Sequence, residues 1–305
     1  MCTLIVLHRC VPGRPLVVAA NRDEFLDRPA EDMALRSSAT GQYVSPLDLE
    51  AGGTWVGLSA RGVFVGLTNL RPPESQSSLP NELKEKLRSR GDVVMMALEA
   101  ESAAEAVNAL RELEAGVFNP FQLLVADGTE AWLVVYRDEV QAVQLEPGPH
   151  IVGNVVDDRI EERLGTSSNE RVATSDSVSR MKKMTRIREC VEKMMTETGQ
   201  DLFEGLASIC REHVGSMDSG WEAHETEGEP ESDGHEPSPF ESTCVHVAEH
   251  YGTRSSLLLE LSADLDACRL WTTEGPPCER PYENRSSLLR ALGVTQSFRT
   301  ETEMA

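Results

Sequence analysis

The chain has 305 residues, of which 40% are hydrophobic, with 51 acidic against 29 basic side chains and a formal net charge of −22. This is enough apolar material for a sizeable core in one large domain spanning residues 1–305. So acidic a surface disfavours nucleic acid and anionic lipid as partners, since both select basic patches. The apolar runs are far too short to cross a bilayer, so no transmembrane segment is expected. Arg9 and Arg14 break the N-terminal run before it resembles a secretory leader. Seven cysteines without a CxxC pair do not make a disulfide framework and suit a reducing, cytoplasmic compartment.

Taken in chain order, Thr3–His8 and Pro15–Ala20 are apolar, β-rich runs joined across Pro12-Gly13, the pattern of a hairpin. Such a hairpin returns Asn21-Arg22-Asp23-Glu24 to the neighbourhood of Cys2. Thr54–Ser59 and Val63–Asn69 read as the next strands, and Asp92–Glu99 as a turn-rich helix. Ser102 and Glu105 have capping-box spacing and open a helix to about Leu113. Phe121–Ala126, Ala131–Tyr136, Gln141–Leu145 and His150–Asn154 read as a four-strand meander with Asp127-Gly128 at one turn. Val178, Met181, Met184, Ile187, Val191 and Met194 recur at helical spacing over Ser177–Thr198, which marks a core-facing stripe more readily than a ligand box. Leu202–His213 is a further helix. Eight acids and no Lys or Arg fall between Glu222 and Glu241, so 222–242 is expected to be a disordered acidic insertion. Cys244–Val247, Thr253–Leu261 and Cys268–Thr272 are closing strands. Strands, helices and strands in this order predict an α+β fold, an αββα sandwich of two antiparallel sheets between helical layers.

Cys2 is the first candidate for chemistry. If residue 1 is removed, one residue carries both a free α-amine, with a reference pKa of about 7.7–8.0, and a thiol near 8.5. The amine can then act as base for the thiol. A nearby Arg22 would favour the thiolate and Asp23 could orient the amine, although a polar hairpin-end loop explains the same residues. Asn69 and Asn154 end strands, where an amide can face developing negative charge or form a turn. Arg254 opens a strand. Cys244-x-His246-x-x-x-His250 resembles metal-ligand spacing, with Cys244 and His246 on one face of a strand, but no fourth ligand is evident and no metal is expected.

Several blocks together carry a resemblance. Asn21-Arg22-Asp23-Glu24 after Met-Cys, Gly52-Gly53-Thr54-Trp55, Leu67-Thr68-Asn69, Phe118-Asn119-Pro120-Phe121, His150–Asn154 and Tyr251-Gly252-Thr253-Arg254 occur in the order of the NRDE family, also called the transport and Golgi organisation protein 2 family. The layout is also similar to N-terminal-nucleophile hydrolases of the penicillin V acylase and bile salt hydrolase type. That resemblance implies Cys2 as nucleophile, Arg22 and Asp23 as its polarising pair, Asn69 and Asn154 as oxyanion and amine contacts, and Arg254 beside the substrate carbonyl. It implies two functions. One is a carrier or trafficking protein for a small hydrophobic or acyl ligand, with haem as a transported ligand rather than a required cofactor. It would work in secretory-pathway organisation, in cytoplasm with mitochondrion or Golgi as associated compartments and its protein partners unspecified. The other is a Cys-dependent amidohydrolase or acyltransferase acting on an amide or thioester.

Overall fold

The computed structural model describes residues 2–72, 87–165, 174–197, 199, 201–214 and 237–294. Two antiparallel sheets face each other. The first contains β1 (Cys2–Val11), β2 (Arg14–Phe25), β10 (Gly148–Val152), β11 (His246–Val247), β12 (Tyr251–Leu261), β13 (Arg269–Glu274) and β14 (Glu283–Asn284), in the order β10-β1-β2-β12-β13-β14 with β11 also on β12. The second contains β3 (Ala30–Ser37), β4 (Gln42–Asp48), β5 (Val56–Ser59), β6 (Phe64–Asn69), β7 (Phe121–Ala126), β8 (Ala131–Tyr136) and β9 (Val140–Leu145), each strand beside the next.

Strand alternation divides the side chains among three cores. Leu4, Val6, Leu16 and Val18 of the first sheet meet Val44, Phe64, Leu124 and Leu133 of the second between the sheets. Their neighbours Ile5, Leu7, Val17 and Ala19 point outward against α4 (Ser175–Thr196) and α5 (Leu202–Arg211), through Met184, Ile187, Phe203 and Leu206. On the far side, Val65, Leu123, Val125 and Val134 pack on α1 (Gly91–Leu98) and α2 (Ala103–Leu110). Both faces of each central strand are therefore covered, which is why the sequence shows continuous apolar runs rather than alternation. The layers are helix, sheet, sheet, helix, and the expected αββα sandwich is the observed one.

Local chemistry accounts for the ends of these elements. Ser102 caps α2 by accepting from the Glu105 amide at 3.2 Å, but the Glu105 carboxylate accepts from the Glu101 amide, so only half of the expected capping box forms. Thr174 and Ser177 make a reciprocal box at the start of α4. Gly53 lies against Gly91: a Cβ on Gly53 would sit 2.9 Å from the Gly91 Cα, so the double-glycine block lets the entry to β5 touch the start of α1.

The structure corrects several sequence expectations. His150–Asn154 is not the fourth strand of the meander, because β10 leaves β9 and pairs with β1 in the other sheet, Leu4 opposite Val152. Pro147 lacks the N–H for a return ladder on β9, and Pro149 is tolerated because β10 is an edge strand. β3, β4, α3 (Asp158–Leu164) and α6 (Ser287–Leu292) were not anticipated; the first two are half-buried strands whose charges and Pro46 mask their pattern. Of the acidic stretch 222–242, residues up to 236 lie outside the described residues. Its end is part of the fold, since Pro239–Glu241 forms a short 3-10 turn and Ser242 is buried. No helix among the described residues is long and apolar enough to cross a membrane.

Candidate functional site

The sheet register builds one site at the head of β1. Cys2 pairs with Arg22 on β2, as the hairpin reading requires, and on the other side of β1 the pairing with β10 ends with Leu4 opposite Val152, two residues before Asn154. On β12, Thr253 faces Asp23 and Ser255 faces Arg22, which leaves Arg254 as the extra residue of a β-bulge. A bulge bends the strand and re-aims the inserted side chain. Gly252 precedes it, and a Cβ there would come within 2.6 Å of the Val245 carbonyl oxygen, so only glycine lets β11 lie this close.

Alternation then separates the candidates by face. Residues 4, 6, 16, 18 and 20 point between the sheets, so Cys2 and Arg22 share that face, while Asn21 and Asp23 point toward the α4–α5 layer. Cys2 is 6% exposed. Burial raises its thiol above the ordinary range; the Arg22 guanidinium works against that rise, and the Asp23 and Glu24 carboxylates add to it. The resting side chain is thus a protonated thiol that needs a base before it can attack.

Arg22 is held by Asp48 at 3.2 Å and lies 3.8 Å from Glu24. Asp48 also accepts from Arg28 Nε at 2.7 Å and from the amides of Glu50 and Ala51. Burial pushes the Asp48 carboxyl up, but these hydrogen bonds and the two guanidinium groups outweigh it and hold the acid below its usual range. Asp23 is nine-tenths or more buried and accepts from Thr253 Oγ1 at 2.7 Å, with Lys183 Nζ at 3.5 Å. The Tyr251 hydroxyl donates to its backbone carbonyl. Asn21 donates to the carbonyls of Cys210 and Thr243, both at 2.9 Å, which ties β2 to the end of α5 and to the segment before β11 rather than to Cys2.

Asn154 and Asn69 come together across the two sheets, with Asn154 Nδ2 donating to the Asn69 backbone oxygen at 2.7 Å. Two residues that the sequence did not single out complete this corner. Gln122, buried on β7, donates to the carbonyls on both sides of Asn154, Gly153 at 2.8 Å and Val155 at 3.1 Å. Its signal was a lone amide inside the apolar run Phe121–Ala126. Arg90 is half-buried, lies near enough to Glu24 and to a Cys2 thiolate for either charge to act on it, and donates to the Pro120 carbonyl at 3.3 Å. Nothing in the sequence around Arg90 marked it.

Arg254 and Arg22 belong to a cleft on the outer side of the site, with Met33, Leu47, Trp55 and Leu257 on its apolar walls and a volume of about 670 Å³ including its open mouth. Arg254 Nε donates to the Arg28 carbonyl at 3.3 Å. A smaller recess behind the sheet is lined by Thr3, Asp23, Asn154 and Lys183. The proposed grouping of Cys244 and His246 with His250 does not form, because His250 is exposed and lies apart from the thiol.

The sequence model of the Transport and Golgi organisation 2 family matches residues 1–268. The Transport and Golgi organization protein 2 homolog of Bos taurus is 32% identical over 149 residues, 46% of this chain and 51% of that protein. The Homo sapiens homolog gives the same identity and coverage. The chain spans about half the length of the curated relatives it matches. Among solved structures, the mutant C2A conjugated bile acid hydrolase from Clostridium perfringens superposes over 99% of this chain and 97% of its own, with a TM-score of 0.51 at 9% identity. A second variant of that hydrolase covers 90% of this chain and 89% of its own, with a TM-score of 0.50 at 10% identity. At such identity the likeness is one of fold.

Proposed function

The chain belongs to the Transport and Golgi organisation 2 family, and from that premise we propose that Cys2 is the nucleophile of an enzyme that cleaves or transfers an acyl group from an amide or thioester. The observation that carries this reading is the register that sets Arg22 opposite Cys2 on β2, with β10 on the other edge of β1 running on toward Asn154. With residue 1 removed, the Cys2 α-amine takes the thiol proton and the sulfur attacks the carbonyl carbon. The amine then returns that proton to the departing amine or thiol, leaving a thioester on Cys2 that water or an acceptor amine opens. Arg22 counters the burial that opposes thiolate. The amide of Asn154, held in place by Gln122 and the Asn69 carbonyl, is the donor best situated for the developing oxyanion. Asp23 supports the amine from the other face of the strand.

The test is intact mass of the purified chain before and after incubation with a panel of N-acyl amides and acyl thioesters. Expected are loss of residue 1 and an acyl adduct that disappears in Cys2→Ala, with Cys2→Ser slowing turnover. Turnover retained in Cys2→Ala would end the proposal.

The cleft favours a second reading within the same family. Apolar walls at Met33, Leu47, Trp55 and Leu257, with Arg22 and Arg254 at the edge, suit a flat or elongated hydrophobic molecule bearing carboxylates. A role as carrier of haem or lipid in trafficking and Golgi organisation, in cytoplasm, mitochondrion or at Golgi membranes, would use that cleft without chemistry at Cys2. Haem or acyl-CoA binding that survives Cys2→Ala but is lost in Arg254→Glu would support the carrier. Failure of either ligand to change the spectrum or melting temperature would remove it.

A further inference from the structure

A second cluster lies away from the Cys2 face. His213 just after α5, Cys244 before β11, His246 on β11 and Cys278 in the turn after β13 each present a ligand atom, and the four atoms lie within 4.8 Å of one another. Cys244 Sγ is 3.5 Å from Cys278 Sγ and 3.6 Å from His246 Nε2, and His246 Nε2 is 3.3 Å from Cys278 Sγ. The rings of His213 and His246 are 5.1 Å apart, centre to centre, and tilted by 47°.

From these positions we propose that His213, Cys244, His246 and Cys278 bind one divalent zinc ion in a closed, tetrahedral, structural site. Zinc–sulfur bonds of about 2.3 Å and zinc–nitrogen bonds of about 2.0–2.1 Å place tetrahedral ligand atoms about 3.3–3.8 Å apart. The three separations above fall in that range. Two thiolates balance the dication, so the site as a whole carries no net charge, and two thiol protons leave to solvent as the ion binds. Four protein ligands leave no open position, which assigns the ion to structure rather than to catalysis.

The surroundings suit the ligands. His246 turns its other nitrogen, Nδ1, toward Glu279 at 4.0 Å, beyond hydrogen-bond reach but on the side from which a carboxylate can orient a metal-bound imidazole. The Cys244 amide donates to the Glu212 carbonyl at 3.0 Å, and Arg211 Nε donates to the Pro277 carbonyl at 3.1 Å. Both ends of the cluster are therefore anchored to the end of α5. The ion would join three segments distant in sequence, one of which contains Val245, whose amide donates to Thr253 Oγ1.

The experiment uses the full chain purified under reducing conditions without chelator. Elemental analysis is expected to give about one zinc per chain, and replacement by Co²⁺ to give the ligand-field and thiolate charge-transfer absorption of a tetrahedral two-sulfur, two-nitrogen site. Cys278→Ser should weaken the charge-transfer band and loosen the metal. Cys278→His should keep the metal with one sulfur fewer, which covers the case in which the serine variant does not fold. His250→Ala and Cys190→Ser should leave the cobalt spectrum unchanged. A folded chain that retains no zinc and develops no cobalt bands would overturn the site, as would a Cys244–Cys278 disulfide in the reduced preparation.

Discussion

Replacing Thr253 by valine tests how Asp23 is held. Thr253 is fully buried, and its hydroxyl makes two hydrogen bonds, donating to Asp23 Oδ1 at 2.7 Å and accepting from the Val245 amide at 2.8 Å. Valine keeps the shape, so no cavity opens, but both bonds go. A hydrogen bond to a charged acceptor contributes about 1.5–3 kcal/mol, and leaving a buried amide without a partner costs about 1–3 kcal/mol. Asp23 keeps Lys183 at 3.5 Å, and the two losses share one site, so the total should fall at about 2–5 kcal/mol rather than at the sum of the maxima. Thr253→Ser keeps the hydroxyl, loses one methyl and should cost only about 1 kcal/mol. Urea unfolding followed by tryptophan fluorescence reads both, through the midpoint at constant slope. If Thr253→Val stays within about 1 kcal/mol of the parent, or the serine variant is equally damaged, the hydroxyl does not hold Asp23 and the reasoning fails.

Three further outcomes are expected. Alkylation of Cys2 by iodoacetamide should rise with pH along a curve displaced above that of an ordinary thiol, because burial raises its pKa; Arg22→Leu should displace it further, and an unshifted curve for the variant would remove Arg22 as an opposing cation beside the terminal ammonium. His8 is 1% exposed, and neither ring nitrogen has a partner among the described residues. Burial, with Arg9 and His150 adding, lowers its pKa from 6.5 to about 4. The unfolded chain therefore takes up this proton first as pH falls below 6.5, and stability is lost down to about pH 4. His8→Leu should abolish a loss of about 2 kcal/mol between pH 7 and pH 5, and parallel pH curves for the two proteins would refute it. Gly252→Ala should destabilise by about 1–3 kcal/mol, since the new methyl meets a backbone carbonyl that cannot rotate away; an unchanged urea midpoint would show that β11 can move aside.

Much of the fold was legible because the hydrophobic effect writes it locally. Phe121–Ala126 and Ala131–Tyr136 appear in the structure with the bounds their apolar runs predict, and the β1–β2 hairpin returns Arg22 to Cys2 as Pro12-Gly13 foretold. The ordered motif blocks identified the family, which the match over residues 1–268 bears out. What a linear pattern could not carry was the choice of partner across space. β10 looks like any strand after β9, yet pairs with β1, and that choice leads the chain toward the Cys2 end of β1 just before Asn154. Gln122 reads as a stray amide until the fold sets it against the carbonyls flanking Asn154. Arg90 comes within electrostatic reach of Cys2 only because α1 packs against the second sheet. Cys244 and His246 were visible as half a ligand set, but their partners, His213 and Cys278, lie 31 residues before Cys244 and 34 after it. Sequence patterns record which face of a strand or helix is apolar, because burial acts residue by residue. Which faces and ends meet is decided by sheet order and packing, and the chemistry of both candidate sites resides in those meetings.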